Sequence, residues 1–320
     1  MIIRRIARGV ALLAVVPTVA SACGDTGGGD DPAYSIGVVQ FSSSEETSET
    51  ALRAYLDHAD DQGWEVTKVD PQGSVDKAIS AMNDFVQKGV DVIVATVFPS
   101  ESLTAGIRAA SAAGIPVISF AGGPADGVVV DMDAGRPTAT EIFEMLLEDL
   151  DGEGDLLFFG NNQGPPCMGR EAELMELVAG TGIEVTRKEV PIPGHVEAAT
   201  QFIHAWLAEH PAGSGPLAVV GCLDEAALGA VSALRQERRQ DVLVYGINGT
   251  SAALHAVESG DIRAVSFIDV AAAGRTAAER TPEVIEQGTD AEPSVIPIPA
   301  VLVTSETYAS FAEKYPGAVQ

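Results

Sequence analysis

The sequence contains no apolar run approaching the roughly 20 residues that a bilayer-spanning helix requires; the stretch Val10 to Val16 near its start is far shorter. A permanent transmembrane helix is therefore not expected. Basic residues are scarce: 19 Lys and Arg stand against 46 Asp and Glu, giving a formal net charge of −27. A surface of that sign repels phosphate backbones and argues against nucleic acid as a partner. The motifs of several catalytic classes are missing as well. There is no Gly-x-Ser-x-Gly elbow, and Gly213-Ser214-Gly215 has the wrong spacing for one. No Gly-Lys-Ser/Thr phosphate loop occurs, and Gly152-Glu153-Gly154 does not continue into a dinucleotide fingerprint. The five histidines, His58, His195, His204, His210 and His255, are scattered without metal-ligand spacing. The expectation is a protein that performs no chemistry and holds neither metal nor cofactor.

What is present begins with an address. Arg4, Arg5 and Arg8 precede the apolar run, and Ala20-Ser21-Ala22-Cys23 follows it, the three-part layout of a secretory signal over 1–22. Small residues directly before a cysteine resemble a bacterial lipobox, which implies a lipid on Cys23, although Ala20 stands where leucine is usual. Ordinary cleavage is the other reading. Residues 23–33 then form a lipid anchor and tether, since Gly24 to Pro32 offers nothing to bury. Removing the signal takes away its three arginines and lowers the charge from −27 to −30. The body that remains, about 285 residues, exceeds one ordinary core and points to two domains. Cys167 and Cys222 lie in a compartment that permits disulfides and are either two buried thiols or a bridge.

Along the body, short β-rich runs alternate with helical patterns. Strands are expected at Tyr34–Phe41, Trp64–Val69, Val90–Thr96 and Pro116–Ala121, with helices at Ser48–Gln62, Val75–Lys88 and Leu103–Ala113 between them. Runs such as Val92-Ile93-Val94-Ala95 are apolar at every position, as strands covered on both faces must be. The pattern restarts after a break near Asp131 to Gly135, with helices at Thr138–Leu150, Glu171–Ala179, Glu197–Glu209, Glu225–Arg235 and Ser251–Glu258. Strands are expected between them, at Leu156–Gly160, Glu184–Val190, Leu217–Cys222 and Val242–Ile247. An α/β class with two doubly wound parallel sheets follows. A strand at Ala264–Ile268, a helix at Ala271–Gln287 and a final strand near Ala300–Val303 come too late for a simple second half, so the chain is expected to cross back.

Residues 89–120, GVDVIVATVFPSESLTAGIRAASAAGIPVISF, resemble the sugar-type periplasmic binding proteins of ABC transporters, the group that includes ribose-binding protein. So do VVGCLDEAALGAVSAL at 219–234 and VYGINGT at 244–250, and the similarity runs from about Tyr34 to Val303. The resemblance implies the type I fold: two Rossmann-like lobes joined by a three-strand hinge that close on one small ligand. On this mapping one lobe is 34–132 plus 270–298, and the other is 133–269 plus 299–312. The implied protein is a monomeric, extracytoplasmic lipoprotein that captures a sugar, polyol or small amine and hands it to an ABC permease in the membrane. A sensor presenting its closed form to a membrane receptor would look the same. Lactose-repressor-like transcription factors share the fold but begin with a helix-turn-helix, where this chain has a signal and tether.

The resemblance also marks candidate ligand contacts. The loop after the first strand is Phe41-Ser42-Ser43-Ser44-Glu45-Glu46, in which Phe41 can stack on a sugar face and Ser42, Ser43, Ser44 and Glu45 can hydrogen-bond; capping of the next helix is the competing role for these residues. Ala121 and Gly122 occupy the place of a sugar-gripping Asp-Arg or Asp-Asn pair. Arg170 aligns with a cleft arginine, whose fork suits paired hydroxyls or a carboxylate. His195 adjoins an aromatic position, and Leu223 replaces an asparagine. Asp224 either reaches the ligand or caps the helix at Glu225. Asn248 stands where relatives have aspartate, and Asp269 stands near the last crossover in place of a polar contact. If the resemblance holds, the strands bearing Cys167 and Cys222 are neighbours, and a bridge there would pin the pocket wall.

Overall fold

The structure is a computed structural model and describes residues 33–41, 43 and 46–320, without the side chain at position 46. The signal, Cys23 and nearly all of the tether, together with Ser42, Ser44 and Glu45 of the candidate site, lie outside the described residues.

Strands and helices alternate from the start: β1 (Ser35–Val39), α1 (Glu46–Asp61), β2 (Glu65–Val69), α2 (Val75–Lys88), β3 (Val92–Thr96), α3 (Thr104–Ala112), β4 (Val117–Phe120) and β5 (Val128–Asp133). The pattern continues with α4 (Thr140–Asp149), β6 (Glu153–Gly160), α5 (Pro165–Leu177), β7 (Gly182–Glu189), α6 (His195–Glu209) and β8 (Leu217–Gly221). Then come α7 (Asp224–Glu237), β9 (Val242–Asn248), α8 (Ser251–Glu258), β10 (Ala264–Ile268), α9 (Val270–Gln287), β11 (Ser294–Pro297), β12 (Ala300–Thr304) and α10 (Tyr308–Lys314). Local signals place these elements. In α2, Ser74 accepts the Lys77 backbone N–H, and Gly89 at φ 69° ends the helix by donating to the Phe85 and Val86 carbonyls.

The strands form two six-stranded sheets, β2-β1-β3-β4-β5-β11 and β7-β6-β8-β9-β10-β12. Every pairing is parallel except β12 against β10. This is the two-sheet α/β architecture expected from the alternation. The central strands β3 and β8 are buried at every residue, because helices cover both faces of each sheet. The chain passes between the sheets three times: after β5, after β10 and between β11 and β12. The three passages are tied together, with Ile298 N–H donating to the Asp133 carbonyl and Asp269 N–H to the Pro299 carbonyl, both at 2.9 Å.

Four elements differ from the sequence reading. β5 was not expected, because Asp131 and Asp133 interrupt its apolar pattern. Asp131 is nevertheless buried, its carboxylate accepting the Gly123 N–H at 3.1 Å; burial raises its pKa. β11 is a four-residue edge strand ending in proline, too short to stand out. α5 begins at Pro165 rather than Glu171, since proline in a first helical turn needs no N–H partner. α10 was also not foreseen.

Candidate functional site

In each sheet the strand order reverses once, at β1 in the first and at β6 in the second. Parallel sheets open a crevice at such a reversal, outside the carboxyl ends of the strands. Here the two crevices meet in one chamber. From the first sheet, Phe41 follows β1, Thr96 and Val97 lie at the end of β3, and Thr47 and Ser48 come from α1. From the second, Asn161 and Gln163 follow β6, Leu223 follows β8, and Asn248 ends β9. The passages between sheets supply the floor through Ala134, Ile268 and Ile298. The chamber holds about 120 Å³, many times the roughly 10–15 Å³ that one water needs, and is far larger than an ordinary packing defect.

The backbone around it is locally constrained. Val97, Ala121 and Asn248 have φ of 63°, 58° and 141°, a region that side chains other than glycine rarely occupy. Such conformations persist where the surroundings over-determine them, and they cluster at binding sites. Thr96 provides part of that constraint, its hydroxyl accepting both the Phe41 N–H at 3.1 Å and the Ser48 hydroxyl at 3.3 Å. Asn161 provides another part: it is buried, donates to the Val190 carbonyl at 2.8 Å and accepts the Gln163 N–H at 2.9 Å.

Of the residues singled out in the sequence, Phe41, Ala121, Arg170, Leu223 and Asn248 line the chamber. Phe41 packs edge-to-face on Phe98 with ring centres 4.9 Å apart. Asn248 is 8% exposed, and its side chain makes no hydrogen bond within the described residues. Thr47 and Gln163 likewise have side chains without a hydrogen bond among the described residues.

Other candidates stand elsewhere. Gly122 lines a second, more open cavity that shares Ala121, Ala134 and Pro166 with the first. A side chain at 122 would fall 2.4 Å from the Phe98 carbonyl oxygen, so a gripping polar pair has no room at this turn. Ser43 is exposed and gives its N–H to Asp70 at 3.0 Å. His195 opens α6 outside the chamber, and Ile192, three residues earlier, lines it instead. Asp269 is outside as well: its carboxylate caps α9 by accepting the Ala272 N–H at 2.8 Å, a structural role in place of the expected ligand contact. Asp224 is fully buried behind the wall. It does not cap its own helix, because Leu223 occupies the cap position, and instead accepts the Thr250 N–H at 2.6 Å at the start of α8.

Arg170 and the two cysteines form one brace. Cys167, Arg170 and Leu174 share the inward face of α5. Cys167 is joined to Cys222 by a disulfide with Cα atoms 5.3 Å apart. The Arg170 guanidinium is 1% exposed. Its Nη1 donates to the Cys222 carbonyl at 2.6 Å, Nη2 to the Ala134 carbonyl at 3.0 Å, and Nε to Ala134 O and the Thr138 hydroxyl at 3.2 and 3.3 Å. The bridge and the guanidinium thus hold α5, the end of β8 and the first passage as one wall. Replacing both cysteines with alanine is expected to lower stability by about 2–4 kcal/mol, read from urea unfolding; the same loss should follow reduction of the unmodified protein.

Comparison with known proteins follows this geometry. The family model described as a periplasmic binding protein domain matches residues 36–288. A putative rhizopine-binding protein of Rhizobium meliloti is 25% identical over 261 residues, covering 77% of this chain and 81% of the relative. The ribose import binding protein of Bacillus subtilis is 24% identical over 228 residues, covering 70% and 72%. Among solved structures, an ABC transporter solute-binding protein from Agrobacterium vitis with bound allitol superposes with a TM-score of 0.79 at 22% identity, over 88% of this chain and 98% of that one.

Proposed function

The chain belongs to the periplasmic binding protein domain family, and from that premise we propose that it is an extracytoplasmic solute-binding lipoprotein serving an ABC importer. It captures a small polar ligand, a sugar or polyol, between two lobes that close as a hinge, and it performs no reaction. The lobes are 34–132 with 270–298, and 133–269 with 299–312. Cys23 carries the lipid that holds the monomer at the membrane.

The observation that carries this reading is the chamber between the two sheets, with the amides of Gln163 and Asn248 facing it from one half and the Thr47 hydroxyl from the other. Asn248 is buried, and a buried polar group left without a partner is costly; a hydroxylated guest supplies that partner and can also reach the more accessible Thr47 and Gln163. Contacts to both walls exist together only when the lobes are closed, so such a guest favours closure. The names of the relatives point the same way, toward rhizopine and ribose.

A thermal-shift screen against sugars and polyols tests the proposal, because a guest that binds only the native state raises the melting temperature. At least one should do so, and X-ray scattering at saturation should show a smaller radius of gyration. Asn248→Ala is expected to weaken the best hit about tenfold, the effect of one lost hydrogen-bonding group, with the melting temperature of the free protein nearly unchanged. A screen in which no sugar or polyol shifts the protein would sink the proposal.

A further inference from the structure

Resting on the sugar-or-polyol reading, we propose that the guest carries an apolar segment: it is a deoxy or O-methyl sugar or polyol rather than a fully hydroxylated one. The chamber's walls are the reason. Ile192 and Leu223 line it from one half, Val97 and Phe120 from the other, and Ile268 and Ile298 from the floor. Ile192 is 36% exposed and Leu223 half-buried, so both leave carbon that the protein itself does not cover. Among the described residues, the lining side chains without a hydrogen bond, Thr47, Gln163 and Asn248, are three neutral groups.

A hexose or inositol carries hydroxyls around its whole perimeter. Seated here, some of them must face aliphatic carbon after losing their water, and each such hydroxyl weakens binding by roughly tenfold. A methyl group at the same place gains about fourfold from its own burial. The two effects act together, so the chamber should discriminate between molecules that differ by one oxygen or one methyl group. Leu223 is the side chain to change, because asparagine has nearly its shape and would offer an amide to the same spot.

Titration calorimetry on the full protein with matched pairs tests this: D-galactose with 6-deoxy-D-galactose, L-mannose with 6-deoxy-L-mannose, and myo-inositol with its mono-O-methyl ethers. The tightest ligand is expected to be a deoxy or O-methyl member, at least about tenfold tighter than its parent. A parent that binds as tightly as its derivative overturns the inference and leaves sugar or polyol capture standing. Failure of every member to bind overturns both. In Leu223→Asn, with an unchanged melting temperature confirming the fold, the ratio within the best pair should fall to near one; an unaltered ratio would also overturn the inference.

Discussion

Arg170→Ala is expected to destabilise the protein by about 3–5 kcal/mol and to abolish ligand capture. The size follows from where the guanidinium lies. A buried cation is tolerated only when its donors are met, and here they are met by the carbonyls of Ala134 and Cys222 and by the Thr138 hydroxyl. Truncation leaves those two carbonyls without these donors and opens a void beneath α5, so two separate costs add. Arg170→Lys retains the charge but not the planar fork, and one ammonium cannot reproduce the same set of bonds; it should recover less than half of the loss. Urea unfolding and calorimetry on the same samples separate the consequences. Loss of binding with full stability would show that Arg170 acts only on the ligand, against the bracing role. Asn248→Ala provides the contrast, since its side chain holds nothing else in place.

Asp224→Asn should make the protein more stable, by a margin that grows from pH 5 to pH 8. The carboxyl is fully buried, and burial raises its pKa to about 7, with Glu225 adding to the rise and the hydrogen bond from Thr250 opposing it. A carboxyl whose folded pKa lies above its unfolded value binds its proton more tightly when folded. Its contribution is therefore favourable at low pH and is lost as pH climbs from about 4 to about 7. Between pH 5 and 8 that loss is on the order of 2–3 kcal/mol. Asparagine keeps an oxygen for the Thr250 N–H and has no charge to bury. The measurement is the difference in unfolding free energy between variant and parent at the two values; a difference that does not grow with pH would place the titration elsewhere.

Much of the fold was legible in the sequence, because both of its periodicities are local. Val92-Ile93-Val94-Ala95 announces a strand covered on two faces, and the repetition of strand and helix announces the sheets. β5 was hidden because two carboxylates sit in it, one of them buried by a hydrogen bond that no local pattern shows. The site was legible only in part. Phe41, Ala121, Arg170, Leu223 and Asn248, marked by the family resemblance, line the chamber, whereas Gln163, Thr47 and Ile192 were not singled out. Nothing in their neighbourhoods distinguishes them: they become walls because the strand order reverses at β1 and β6, and order is a property of the whole chain. Asp269 misled for the complementary reason, since a carboxylate at a crossing can as well serve the helix that begins there.

The passage that places β11 in one sheet and β12 in the other also constrains synthesis. Both are edge strands, and the first of them starts only at Ser294. As the chain leaves the ribosome, neither sheet has its last strand until Ser294 and the residues after it have emerged, and the α9 helix that packs on α1 arrives scarcely earlier. Domains with continuous sequence can finish one after the other; these two halves are completed almost together, so both sheets keep an open border until this late crossing has been made.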